Sequence, residues 1–179
     1  MSAPRKMLGD INSPTTTALM RLIETQSKGT LTRWAAARAQ ERYLPLIPKD
    51  TDIFASMDRT LSAVESFLKK ELTQKELKPV LTEARSEVKR LADSQTADPV
   101  TLAAARAVST ACAVAQTPSN ALGFLFYGAA ACAYHSAGIS APADICDRLA
   151  EEELKKALQS LREIAVPDES HPVSIRWNC

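Results

Sequence analysis

Cys132 and His135 stand three residues apart, so a helix would carry them on one face. Cys112 and Cys146 fall on the predicted neighbouring helices, and the four side chains together offer thiolate and imidazole ligands for a tetrahedral metal. The Cys132–His135 pair also has the residue types of a thiol nucleophile and its base. Neither pattern is complete. Zinc motifs pair their ligands more tightly, and no third group is placed to orient the histidine. In an Ala-rich core a cysteine serves as a small hydrophobe, and His135 near a helix end is expected to donate a hydrogen bond to a carbonyl. The reading is therefore no catalytic residue and no cofactor, with Cys112, Cys132, His135 and Cys146 kept as weak metal candidates.

Other chemistries have less support. The carboxylate pairs Asp50–Asp52 and Glu151–Glu153 are expected at caps or facing solvent, whereas acid–base work needs inward groups. No Gly-rich strand-to-helix loop is present to cradle a phosphate. Arg85, Lys89 and Arg90 make a basic stripe, but Glu83 and Glu87 interleave it, which is a poor nucleic-acid footprint. Arg5-Lys6-Met7-Leu8 contains an R-x-x-L element that many unrelated segments share.

The elements that would carry these residues are helices. Residues 1–13 read as a flexible leader. Ser13-Pro14 supplies a cap and a first-turn proline, with Leu19, Leu22 and Ile23 behind it and Gly29 as the predicted stop. Thr30 is the predicted cap of a second helix whose face carries Leu31, Trp34, Ala35, Arg38, Ala39 and Tyr43, with Arg38 laying its alkyl stem along the stripe. Pro45 and Pro48 end it. Ile53, Met57, Leu61, Val64 and Leu68 trace a third. Thr73 and Glu76 match a capping box, followed by Leu77, Val80, Leu81, Ala84, Val88 and Leu91, with Pro79 near the start. Asp98-Pro99 opens a fifth, Ala-rich helix. Thr117-Pro118 opens a sixth, apolar on nearly all sides and ended by Gly138. In a seventh, Ile145, Leu149, Leu154, Leu158, Leu161 and Ile164 face inward and Glu152–Lys156 offers i,i+4 support. Residues 167–179 have no helical period; Val173 to Trp177 is the one strand-like run. The expected fold is all-α: a compact bundle of about seven helices around a central apolar Ala/Gly-rich helix, with one helical domain over 14–166 and a non-helical tail over 167–179.

Composition agrees. The chain has 179 residues, 45% hydrophobic and 24% charged, as in ordinary globular domains. Aromatics make up only 5% and there are 5 glycines, a mix that favours close-packed helices over sheets. Twenty-two Lys and Arg oppose 21 Asp and Glu, so no large field of one sign is available for a nucleic acid or an acidic membrane. Residues 108–143 carry no charge. Gln116 to Asn120 divide that run, and Tyr127, His135 and Ser136 interrupt its second half, so a helix buried in a bundle is expected and not a membrane span. No apolar signal-peptide core follows Arg5 and Lys6. The expectation is a cytoplasmic protein with free thiols.

Three segments together resemble one family. Leu31-Thr32-Arg33-Trp34-Ala35 through Glu41-Arg42-Tyr43-Leu44-Pro45-Leu46 is similar to its L-x-x-W-A-x-x-x-A-x-E-x-x-L-P-L-F opening. Asp98-Pro99 with Ala103-Ala104-Ala105-Arg106-Ala107 is similar to its Ala-rich middle helix, and Ala115-Gln116-Thr117-Pro118-Ser119-Asn120-Ala121-Leu122-Gly123 to its A-H-V-x-x-H-A-L-G segment. The family is that of immunity proteins of bacterial polymorphic-toxin systems, and the resemblance spans roughly residues 30–138. Gln116 and Asn120 stand where its pattern has histidines, and Ile47 where it often has Phe.

The resemblance implies an all-helical, non-enzymatic protein that neutralises a cognate toxin by stoichiometric binding. Trp34, Glu41, Arg42 and Trp177 are the candidate partner-binding residues. Trp34 lies on an apolar stripe, which favours the core over the interface. Two other readings stay open: a helical scaffold or self-associating subunit (a homo-oligomer), and a small metal or thiol protein using Cys132 and His135.

Overall fold

The computed structural model describes residues 3–178. Cys179 lies outside them. Among the described residues seven α-helices follow one another: α1 (Pro14–Ile23), α2 (Lys28–Arg38), α3 (Asp52–Leu68), α4 (Gln74–Asp93), α5 (Pro99–Cys112), α6 (Asn120–Ala137) and α7 (Ala143–Ile164). The protein is all-α and its helices pack as a compact bundle.

Local chemistry sets most of the boundaries. Ser13, Ser27, Thr51, Thr73 and Asp98 each accept a hydrogen bond from a backbone N–H in the first turn of the helix that follows. Thr73 and Glu76 close the expected capping box. Pro79 stays inside α4. Gly138, at φ +87°, ends α6.

Three boundaries differ from the sequence reading. α1 stops at Ile23, not near Gly29, because Thr25 Oγ1 donates to Leu22 O at 2.6 Å and the chain turns there. Ser27, not Thr30, is the cap of α2, and Gly29 sits in the first turn of that helix. α2 does not run straight to Pro45 either. A π-helical turn, Ala39–Tyr43, and a short 3-10 turn, Leu44–Leu46, continue it.

The core has two innermost rods where the sequence pointed to one. No residue over 99–112 of α5 or over 121–134 of α6 is fully exposed. α6 packs on α5 and α7, while α5 also meets α2, α3 and α4. Alanines on both helices keep the side chains short, so the backbones can approach closely. The amphipathic helices sheathe this pair with Leu19, Ile23, Met57, Leu61, Leu77, Leu81, Leu154 and Leu161, each contributing roughly 1.5–3 kcal/mol on burial. Ile164, expected inward, is 45% exposed and is the last residue of α7.

The described residues on both sides of the helical bundle make contacts with it. Residues 3–12 carry no helix, and they are tied to the bundle. Leu8 is sunk in the core at 2% exposure, its N–H donates to Phe126 O at 3.1 Å, and Arg5 pairs with Asp147 at 2.7 Å. The R-x-x-L element is thus an anchor. The tail beyond α7 carries no helix. Its predicted strand does not form: an isolated antiparallel bridge joins Ser27 and Pro172, and Val173 N–H donates to Gln26 O at 2.9 Å, but no ladder extends along the segment.

Candidate functional site

The π-helical turn concentrates the buried polar chemistry. A π turn inserts one residue into the helical register, and such turns recur at functional sites. Here it lets Arg38, Arg42 and Tyr43 reach one target on α7, the carboxylate of Glu153. Arg38 Nη2 lies 2.6 Å from Glu153 Oε1 and Arg42 Nη2 lies 2.9 Å from Oε2. The Tyr43 hydroxyl donates to Oε1 at 3.0 Å. Glu153 is 2% exposed and Arg38 8%. Each carboxylate oxygen is therefore occupied from inside the protein.

This corrects the reading of Glu151–Glu153 as a solvent-facing pair. Glu153 is interior, Glu151 is half-buried and accepts from the Thr15 hydroxyl, and Glu152 faces water, where it pairs with Arg148 at 3.1 Å and not with Lys156. The sequence held a signal. Cys146, Ala150, Glu153, Ala157 and Leu161 repeat every three or four residues, so Glu153 continues the buried stripe of α7.

The cluster has electrostatic consequences. Its hydrogen bond to Glu153 raises the Arg42 guanidinium, against partial burial. Burial, then the negative Glu153, push the Tyr43 phenol well above its ordinary value. The same two causes push the Cys132 thiol up to about 12, opposed by Arg42 and Arg38. Burial alone pushes Cys112 up to about 12. Neither thiol is ionised near neutrality, so neither is ready to act as a nucleophile.

The metal candidates do not converge. Cys112 and Cys146 are buried and Cys132 is half-buried, while His135 is exposed at the end of α6. Among the described residues no group of three or more His, Cys, Asp or Glu could hold a metal ion.

The partner-binding candidates divide. Trp34 is 4% exposed, which removes it from any surface. Its indole N–H donates to Ser160 Oγ at 2.9 Å and its ring meets Phe124 edge-on at 5.3 Å. Tyr43 meets the same Phe124 ring at 6.2 Å. Glu41 is exposed, beside Arg33, Ala37 and Gln40 on the outer side of α2 and the π turn. Arg42 shows 38% of its side chain there while its guanidinium is held from beneath by Glu153. Trp177 is half-buried on the opposite end of the chain, and its indole N–H donates to Glu24 at 3.2 Å. Gln116 is half-buried, and Asn120 is half-buried and donates to Ala113 O at 3.4 Å.

The tail has its own anchors, which the sequence did not reveal. Gln26 is 1% exposed and its amide brackets the Val166 backbone, accepting from N–H at 2.8 Å and donating to C=O at 3.2 Å. Glu169 accepts from Ser27 N–H at 2.7 Å, from Ser27 Oγ at 2.8 Å and from the Thr30 hydroxyl. A carboxylate therefore sits at the N-terminus of α2, where the helix dipole favours it. Burial opposes the charge, but the hydrogen bonds from Thr30 and Ser27 outweigh it and hold the Glu169 carboxyl below its ordinary value.

A family model described as Imm-5 like putative immunity protein matches residues 21–163. The chain belongs to that family. The matched span takes in α2 to α6 and nearly all of α7, and with them the whole Arg38–Arg42–Tyr43–Glu153 cluster. The shared region of this Imm-5 like protein is therefore the bundle itself, and the N-terminal anchor and the tail lie outside it. Searches of curated proteins and of solved structures return no match. Among the described residues no helix is long and apolar enough to cross a membrane.

Proposed function

We propose that this Imm-5 like protein is a non-catalytic binding protein of the cytoplasm that neutralises a cognate toxin by stoichiometric occlusion. The family match over residues 21–163 carries this reading. The internal chemistry supports it. The buried carboxylate spends both oxygens on Arg38, Arg42 and Tyr43, and the thiols of Cys112 and Cys132 are protonated. These groups lock α2 and the π turn to α7 and leave little reactivity to spare.

In this reading Glu41 and the exposed edge of Arg42 make rim contacts on a surface held rigid from below. A pre-formed surface loses less ordering entropy on binding than a mobile one. Trp177 adds a contact from the tail. Trp34 acts only by fixing the helix that presents the other two.

Co-expression with the product of a neighbouring toxin-like gene tests the proposal. Survival well above the empty-vector control is the expected result. Survival equal to that control contradicts it.

A further inference from the structure

The basic stripe that looked interleaved in the sequence is separated by the fold. On α4, Arg90 turns to one side and pairs with Glu83 at 2.9 Å and Glu87 at 3.8 Å. Arg85 and Lys89, four apart, line the other side. There they meet Lys6 from the N-terminal segment and Arg106 from α5 around a cleft of about 640 Å³. Three stretches far apart in the chain thus deliver four cations to one place. Asp93 is the one carboxylate in the lining, and it takes Lys89 at 3.0 Å. Among the described residues Lys6, Arg85 and Arg106 form no ion pair.

The position of Lys6 is fixed on both sides. Arg5 is tied to Asp147, with its N–H on the Tyr134 hydroxyl at 2.9 Å, and Leu8 is buried beneath Phe126 O. Val88 and Tyr127 add apolar surface to the lining. Gathering like charges is unfavourable in the free protein, and an anion placed among them relieves the repulsion. An acidic polypeptide fits the mixture better than a nucleic acid. The chain's net charge is only +1 and Asp93 breaks the basic lining of the cleft, whereas a nucleic acid wants a continuous basic track. The apolar surface of Val88 and Tyr127 suits side chains lying between carboxylates.

We propose that the cleft formed by Lys6, Arg85, Lys89 and Arg106 docks an acidic segment of the protein partner, with Asp or Glu carboxylates on the cations and an apolar side chain on Val88 and Tyr127. The assignment rests on the protein-binding reading above and adds the chemistry of what is bound.

A fluorescein-labelled acidic hexapeptide of Glu, Asp and Leu is the probe, offered to the full chain in parallel with duplex DNA. Its binding is expected to shift the amide signals of Val88, Ala92, Arg106 and Tyr127. R85E/K89E is expected to weaken it by about tenfold or more. K75E/K78E makes the same charge change on the same helix away from the cleft, and should leave binding within about twofold. Equal losses in both variants, shifts located elsewhere, or tighter binding of the duplex would overturn the proposal. The survival assay separates the two claims. If the wild type protects and a well-folded R85E/K89E protects equally, the cleft is not a partner contact and only this inference fails. If the wild type does not protect, the immunity reading fails, and the peptide mapping decides the cleft by itself.

Discussion

Arg38 and Glu153, 115 positions apart in the chain, meet at 2.6 Å inside the bundle and join α2 to α7. Both are more than nine-tenths buried. Removing one partner of such a pair leaves the other uncompensated in a poor solvent for charge, at about 3–5 kcal/mol, whereas replacing both with apolar groups is often neutral. Urea unfolding should therefore show E153A destabilised by about that amount, with R38M/E153L recovering only part of the loss, because Arg42 and the buried Tyr43 hydroxyl still lack their acceptor. A loss in E153A of under about 1 kcal/mol, as for an exposed pair, would contradict the burial.

Gly128 allows the close approach of α6 to the π turn. A Cβ there would overlap the Tyr43 ring and hydroxyl. Helix propensity alone favours alanine over glycine by up to about 1 kcal/mol. Overpacking costs about 1–3 kcal/mol and is expected to win. G128A should lower stability, and a double-mutant cycle with Tyr43→Leu should show coupling of at least about 0.5 kcal/mol. A stabilised G128A would mean that the ring is not where the structure places it.

The thiols report on the same neighbourhood. With Cys112 and Cys132 raised to about 12, only about one thiol in ten thousand is ionised near pH 8. Peptide-resolved alkylation of the native protein should be at least about a hundredfold slower at these two positions than in urea. Glu153 is one cause of the Cys132 shift, so E153Q should speed labelling at Cys132 and leave Cys112 unchanged. Rapid native labelling of Cys132 would contradict both its burial and its charged neighbour.

Much of the bundle was legible in the sequence because its signals are local. The Thr73–Glu76 box, the Ser13-Pro14 and Asp98-Pro99 starts and the Met57–Leu61–Val64 stripe involve residues within a turn or two of one another. Trp34 was read correctly as better suited to the core, from the stripe it shares with Leu31 and Ala35. The polar interior was not legible in that way. Glu152 and Glu153 are the same residue type side by side; the α7 stripe marks Glu153 as the buried one, but its partners lie on a helix more than a hundred residues away, which no local pattern shows. The π turn has no sequence signature, yet it aims Arg42 and Tyr43 at Glu153. The N-terminal segment and the tail were read as loose because they lack helical period, but a few long-range contacts hold them, through Arg5 and Leu8 at one end and Val166, Glu169 and Val173 at the other.

The Glu169 contact makes the tail sensitive to acid. Its carboxyl is lowered in the folded protein, so the anchor contributes fully above the ordinary carboxylate range and is lost as pH falls through the lowered folded value. Amide exchange at Ser27 and Val173 should accelerate on acidification before the core opens. E169Q should exchange faster at neutral pH and lose that dependence. Exchange at these amides that is indifferent to pH, after correction for the intrinsic rate, would contradict the anchor.

The central claim is neutralisation by occupancy, and a titration at fixed toxin concentration tests it most directly. The account predicts that toxin activity falls in proportion to added protein, vanishes at about one equivalent and returns when the complex is denatured and the toxin refolded. Complete, time-dependent inactivation by a small fraction of an equivalent would show turnover instead, and undiminished activity at an excess would show no neutralisation at all.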